Sequence, residues 1–147
     1  MRDLRNLGIM GKICEVQIPG AGQVQIWINS RDHCGPHVHC GDKSDTWEAR
    51  IKFSFINNDV TFWDVLSHND PGQSVFVEIE KQLIRYLRAC RQEWWKNFSA
   101  TIGCCLQNTN HADTVGHLRR ISTANYDSAT NSTELVFTNG FHRIVRL

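Results

Sequence analysis

The octapeptide His33-Cys34-Gly35-Pro36-His37-Val38-His39-Cys40 places three imidazoles and two thiols within eight residues. His37 and His39 carry the sharpest chemistry. On an extended segment, residues i and i+2 point to the same side. Both imidazoles then face one way and can share a divalent ion at ~2.0–2.1 Å per nitrogen. Cys40 points to the opposite face, while His33 and Cys34 precede the segment in a loop and can swing in. Glu48, on the polar face of a neighbouring strand, is at hand as a third ligand; His68 and Asp70 are further candidates. Zinc accepts such a set of nitrogen, oxygen and sulfur donors.

Other chemistry is less well supported. A His-x-His pair on a strand is also ordinary surface, structural or partner-contacting. Cys34 or Cys40 beside a histidine has the composition of a nucleophile and its base, but a reactive thiol needs a lowered pKa that residue type alone does not supply. The chain has no Cys-x-x-Cys pair, which excludes a zinc ribbon. It also has no glycine-rich phosphate loop or serine elbow.

The elements that position these residues are legible from periodicity. Residues 13–19 and 23–29 alternate apolar and polar around Gly20-Ala21-Gly22, which predicts a hairpin. Residues 37–40 form a short strand after Pro36. Trp47, Ala49, Ile51, Phe53 and Phe55 share one face of the next strand, with Glu48, Arg50, Lys52 and Ser54 on the other. Phe76, Ile79, Leu83, Leu87, Cys90, Trp94 and Phe98 follow at helical spacing, predicting one helix over 73–98. Asn139-Gly140 between two strand-like runs predicts a second hairpin, with 121–126 as a third strand.

The expected architecture is α+β: an antiparallel sheet with one long amphipathic helix packed on it, plus a C-terminal β-hairpin. Residues 1–98 make the core domain, 99–118 a connecting loop region, and 119–147 a hairpin module packed on the core or on a partner. The 147 residues suffice for a core without staples, and 41% hydrophobic and 21% charged content argue against disorder. The net charge of +1 gives no reason to expect nucleic acid or an anionic membrane as partner. No apolar run approaches a membrane span, and no signal-peptide pattern opens the chain. The six cysteines are therefore read as cytoplasmic thiols.

Lys81, Arg85, Arg88 and Arg91 make a basic stripe on the helix, and Trp95 lies at the border of its apolar face. With His37 and His39, the residues Arg85, Arg88 and Trp95 are the candidates for contacting a protein partner, since tryptophan and arginine are enriched in binding hot spots.

The run Pro36-His37-Val38-His39, the alternating strand after it, and a helix closing in Trp95-x-x-Phe98 together resemble the small bacterial proteins grouped as domain of unknown function family 4160. The resemblance covers residues 23–98. The tail, Leu135 to Val145, is similar to the opening hairpin of that family's usual toxin–antitoxin-like neighbour. Segment 56–74 is longer than the pattern, and 99–118 has no counterpart in it. The resemblance implies no reaction. It implies a non-enzymatic module of a bacterial or phage conflict system, binding a toxin, an antitoxin or a subunit of a host defence complex, with a homodimer as a further expectation. In that reading no cofactor is required. The rival is a metal-dependent hydrolase or nuclease, with zinc or another divalent metal on His37, His39 and Glu48.

Overall fold

The structure, a computed structural model, describes residues 10–29, 31–32, 35–98 and 110–147. Strands β1 (Met10–Ile18), β2 (Gly22–Asn29), β3 (His37–Asp42), β4 (Glu48–Phe53) and β5 (Val60–Val65) form one antiparallel sheet in chain order. A long helix follows as α1 (Gln73–Leu83), one 3-10 turn at Ile84–Tyr86, and α2 (Leu87–Phe98). A second antiparallel sheet is built from β6 (Asn110–Ala112), β7 (Leu118–Asp127), β8 (Ser132–Phe137) and β9 (His142–Arg146). The fold is α+β, and the C-terminal hairpin is β8–β9. No helix among the described residues is long and apolar enough to cross a membrane.

The helical stripe packs as its spacing demands. Phe76, Ile79, Leu83, Leu87, Cys90 and Trp94 are buried against Val24, Ile26 and Ile28 of β2, Val38 and Cys40 of β3, and Ala49, Ile51 and Phe53 of β4. The helix is interrupted at residues 84–86, yet the tighter turn keeps Leu83 and Leu87 on the same buried side.

Three elements depart from expectation. Strand β5 breaks the period-two pattern because Trp63 is an extra residue between the pairs Arg50↔Asp64 and Ile51↔Phe62. Strand β6 lies inside the stretch expected to be connecting loop, and β7 starts at Leu118 within it. The β6–β7 turn is held by polar bonds: Asp113 accepts the amides of Val115 and His117 and pairs with Arg119. Such a turn leaves no hydrophobic signature.

The second sheet sits on the first through polar clamps and a small core. Arg91, only 1% exposed, donates to the carbonyls of Ser54 and Asn57 and to the side chains of Asn58 and Asn131. Thr133 donates its hydroxyl to Phe55 O at 2.5 Å. Ile56 packs with Ile121, Ala124, Leu135 and Phe137. Two helix residues of the expected partner-contacting set also lie in this seam. Trp95 is half-buried against Phe55 and Tyr126. Arg88 donates to the carbonyls of Ser128 and Ala129, each at 2.8 Å. Arg85 stays exposed.

This packing sets a contrast within the helix. Leu83→Ala removes fully buried methyl groups and should destabilise the protein by ~2–5 kcal/mol, whereas Arg85→Ala should change little. Denaturant titration of both variants checks the assignment. Equal losses would mean that the wrong face has been placed in the core.

Candidate metal site on strand β3

Alternation on β3 sends Val38 and Cys40 into the core and turns His37 and His39 to the other face. There His39 pairs across the sheet with Trp27 on one side and Arg50 on the other, and His37 pairs with Lys52. Both imidazoles are buried nonetheless, His37 at 0% exposure and His39 at 8%. Trp27 stacks on His39 at 5.7 Å, while Trp63 and Trp94 flank His37 at 5.1 and 5.3 Å. Little of either side chain is left at the surface.

The third member of the site is Asp32. The amide of Asp32 donates to Asn29 O at 3.0 Å, and its carboxylate accepts the Asn29 amide at 3.2 Å. This turn folds the carboxylate back over the strands. Asp32 Oδ1 lies 2.9 Å from His39 Nε2, and Oδ2 lies 3.4 Å from His37 Nε2. Ligand atoms of Asp32, His37 and His39 all fall within 4.8 Å of one another. A side-chain adjustment of about an ångström would bring them onto one ion at ~2.0–2.1 Å.

The opposite edges of the rings are fixed as well. His37 Nδ1 lies 2.7 Å from Gly35 O. A carbonyl only accepts, so Nδ1 carries the hydrogen. Gly35 has φ 95°, a conformation that glycine adopts without strain and that sets this carbonyl under the ring. His39 Nδ1 lies 3.1 Å from Glu48 Oε2. Glu48, expected as the third ligand, therefore holds the far side of His39 and is not part of the converging trio. Each imidazole has its Nδ1 anchored on an oxygen and its Nε2 turned to Asp32, which is the arrangement that orients metal-bound histidines.

The remaining candidates lie elsewhere. His68 and Asp70 are exposed, and Asp70 accepts the Gly72 amide ahead of α1. Cys40 faces the core, with Sγ 3.7 Å from Ala49 O, and so is removed from any nucleophilic role at this face. His33 and Cys34 lie outside the described residues. Nothing in the sequence pattern marks Asp32, which sits in an aperiodic polar loop. Its one signal is being a carboxylate in the link between the two strands that pair Trp27 with His39.

Burial disfavours a charged His39 ring, but hydrogen bonds to Asp32 and Glu48 outweigh it and raise its pKa to about 9. Burial also opposes ionisation of Asp32, and the bonds from His37 and His39 again prevail, holding this carboxyl well below the usual range. Beside them Arg50 pairs with Asp64 at 2.5 and 2.8 Å and lies over the Trp63 ring at 3.8 Å. Lys52 Nζ is 4.8 Å from the same ring.

Comparison with protein-family models, with curated proteins and with solved structures gives no match. The resemblance of residues 23–98 to family 4160 therefore rests on the residues quoted for it.

In the metal-free protein the His39 ring should remain protonated well above pH 7. A raised pKa means that its stabilisation is complete below the ordinary value of 6.5 and is lost as pH rises through about 9. Asp32 works in the opposite sense, its contribution being lost only on acidification below 3.8. Titration of the imidazole resonances by NMR should give a His39 midpoint near 9 that falls in Glu48→Gln. A midpoint near 6.5 in the wild type would refute the paired arrangement.

Proposed function

We propose that this chain is a metal-binding protein that holds one divalent transition ion, zinc in the first instance, on Asp32, His37 and His39. One observation carries the reading: two buried imidazoles, each fixed through Nδ1 by an oxygen, direct Nε2 at the same carboxylate. Three protein ligands leave a position open, as in catalytic zinc sites, where bound water becomes a nucleophile near neutral pH. The two-histidine, one-carboxylate set also suits iron(II). Metal-assisted hydrolysis is the reaction class this supports best, and it is placed ahead of the partner-binding role that the sequence favoured.

Partner binding keeps an observation of its own. Val115, Leu118, Phe141 and Ile144 are exposed apolar residues on or beside the second sheet, and β9 is one edge of that sheet. A cytoplasmic module that docks a protein of a bacterial or phage conflict system through this sheet is the second reading.

Elemental analysis of untagged protein separates the two. The metal reading expects about one chelator-sensitive ion per chain, weakened by acid as the imidazoles protonate, and absent from the folded double variant His37→Ala/His39→Ala. Metal-free wild type that retains one dominant protein at physiological salt would favour the second reading instead.

A further inference from the structure

Strand β5 is an edge of the first sheet, and a cleft of about 340 Å³ opens between it and α1. Gln73, Phe76, Val77 and Glu80 line it from the helix. Their spacing of i, i+3, i+4 and i+7 makes them one stripe of α1. Phe62 lines it from β5, its ring stacked on Phe76 at 4.5 Å, and Asp70, in the loop ahead of the helix, completes the lining. Val77 is 43% exposed, an apolar side chain that the core does not use.

The lining is acidic at its two ends and apolar between them. Gln73 and Glu80 are two helical turns apart, roughly 10 Å along the axis. Asp70 lies ahead of the first, and Phe76 and Val77 fall between the two. One oxygen of each carboxylate is taken. Glu80 Oε1 accepts the Phe62 amide at 3.1 Å, and Asp70 Oδ1 accepts the Gly72 amide at 2.8 Å. The second oxygen of each makes no hydrogen bond or ion pair among the described residues. No lining residue is cationic. Lys81, next along the helix, is 3.9 Å from Glu78. Arg85 and His68 are exposed and do not line the cleft. Arg50 and Lys52 project from the opposite face of the sheet, where Arg50 pairs with Asp64 and Lys52 lies over Trp63. The partial positive charge at the start of α1 offsets part of Asp70, so Glu80 is the stronger anchor.

We infer that this cleft binds an aliphatic diamine, with one ammonium on Glu80, the other on Asp70, and the chain over Phe62, Phe76 and Val77. Charge complementarity selects the two cations, the apolar middle selects the chain, and the volume is that of an ordinary small-ligand site, ~300–1,000 Å³. A sheet edge also invites an added peptide strand. Two features oppose it here: the Phe62 amide is already bonded to Glu80, and the bulge at Trp63 breaks the regular edge. A diamine needs only the carboxylate oxygens that are left. The cleft shares no residue with Asp32, His37 and His39, and the inference is independent of the metal reading.

The probe is 1,8-diaminooctane, titrated into nitrogen-15-labelled protein while the amide resonances are followed by NMR. Saturable shifts should centre on Phe62, Gln73, Val77 and Glu80. Octylamine, with one charge, should bind about fivefold more weakly, and 1,8-octanediol, with none, should not bind. Glu80→Gln keeps an acceptor for the Phe62 amide but loses the charge, and should cost about fivefold in affinity. Asp70→Asn likewise keeps its acceptor for Gly72 and should cost about threefold. Shifts centred elsewhere, octylamine binding as tightly as the diamine, or unchanged affinity in Glu80→Gln would each overturn the inference. Tighter binding of the extended peptide Lys-Val-Lys-Val-Lys-Val would overturn it in favour of strand addition at β5. If Glu80→Gln does not fold, the comparison of the probes on the wild type decides.

Discussion

Strand β3 has to satisfy two faces at once, and the site depends on that constraint. Its period of two commits Val38 and Cys40 to the core beneath the helix, so His37 and His39 have no choice but the opposite face. Because β3 is central in the sheet, that face is flanked by neighbours on both sides. A one-residue slip would turn the two imidazoles under the helix and put the two apolar side chains where the rings now meet Asp32. The register that builds the core is therefore the register that pairs the two rings, and the aliphatic packing under the helix holds the polar site in place.

Burial makes the polar arrangement consequential. A buried polar ring without partners costs free energy, and one with good partners is held firmly. His39 answers this with a carboxylate on each nitrogen, and His37 with a backbone carbonyl on one edge and Asp32 near the other. Three tryptophans lie against the rings, and hydrogen bonds in such low-dielectric surroundings are stronger than in water. The result is a rigid pair of imidazoles whose remaining donor positions converge, which is what a metal ligand set requires.

Most of the first sheet and the whole buried stripe of the helix were legible in the sequence, because each follows from hydrophobic periodicity at 2 or 3.6 residues. The pairing of His37 with His39 was legible for the same reason. What escaped is organised by polar groups. Asp32 reaches the site through an asparagine–aspartate turn, β6 is held by Asp113, and the seam between the sheets is tied by Arg91 and Thr133. Glu48 reads from the strand pattern as a candidate third ligand, but strand spacing does not say which atom of the ring it meets. Only the geometry places it on Nδ1 of His39, away from the converging Nε2 atoms. Trp95 shows the same limit: its position on the helix fits both an exposed anchor and a seal, and only the fold shows it packed on Tyr126.

In the proposed site one ion sits between Asp32, His37 and His39 with nitrogen and oxygen donors only. X-ray absorption at the zinc edge of zinc-loaded protein tests this most directly. The expected spectrum has a first shell of nitrogen and oxygen at ~2.0–2.1 Å with outer-shell scattering from two imidazoles. A sulfur shell at ~2.3 Å, or scattering from fewer than two imidazoles, would contradict it.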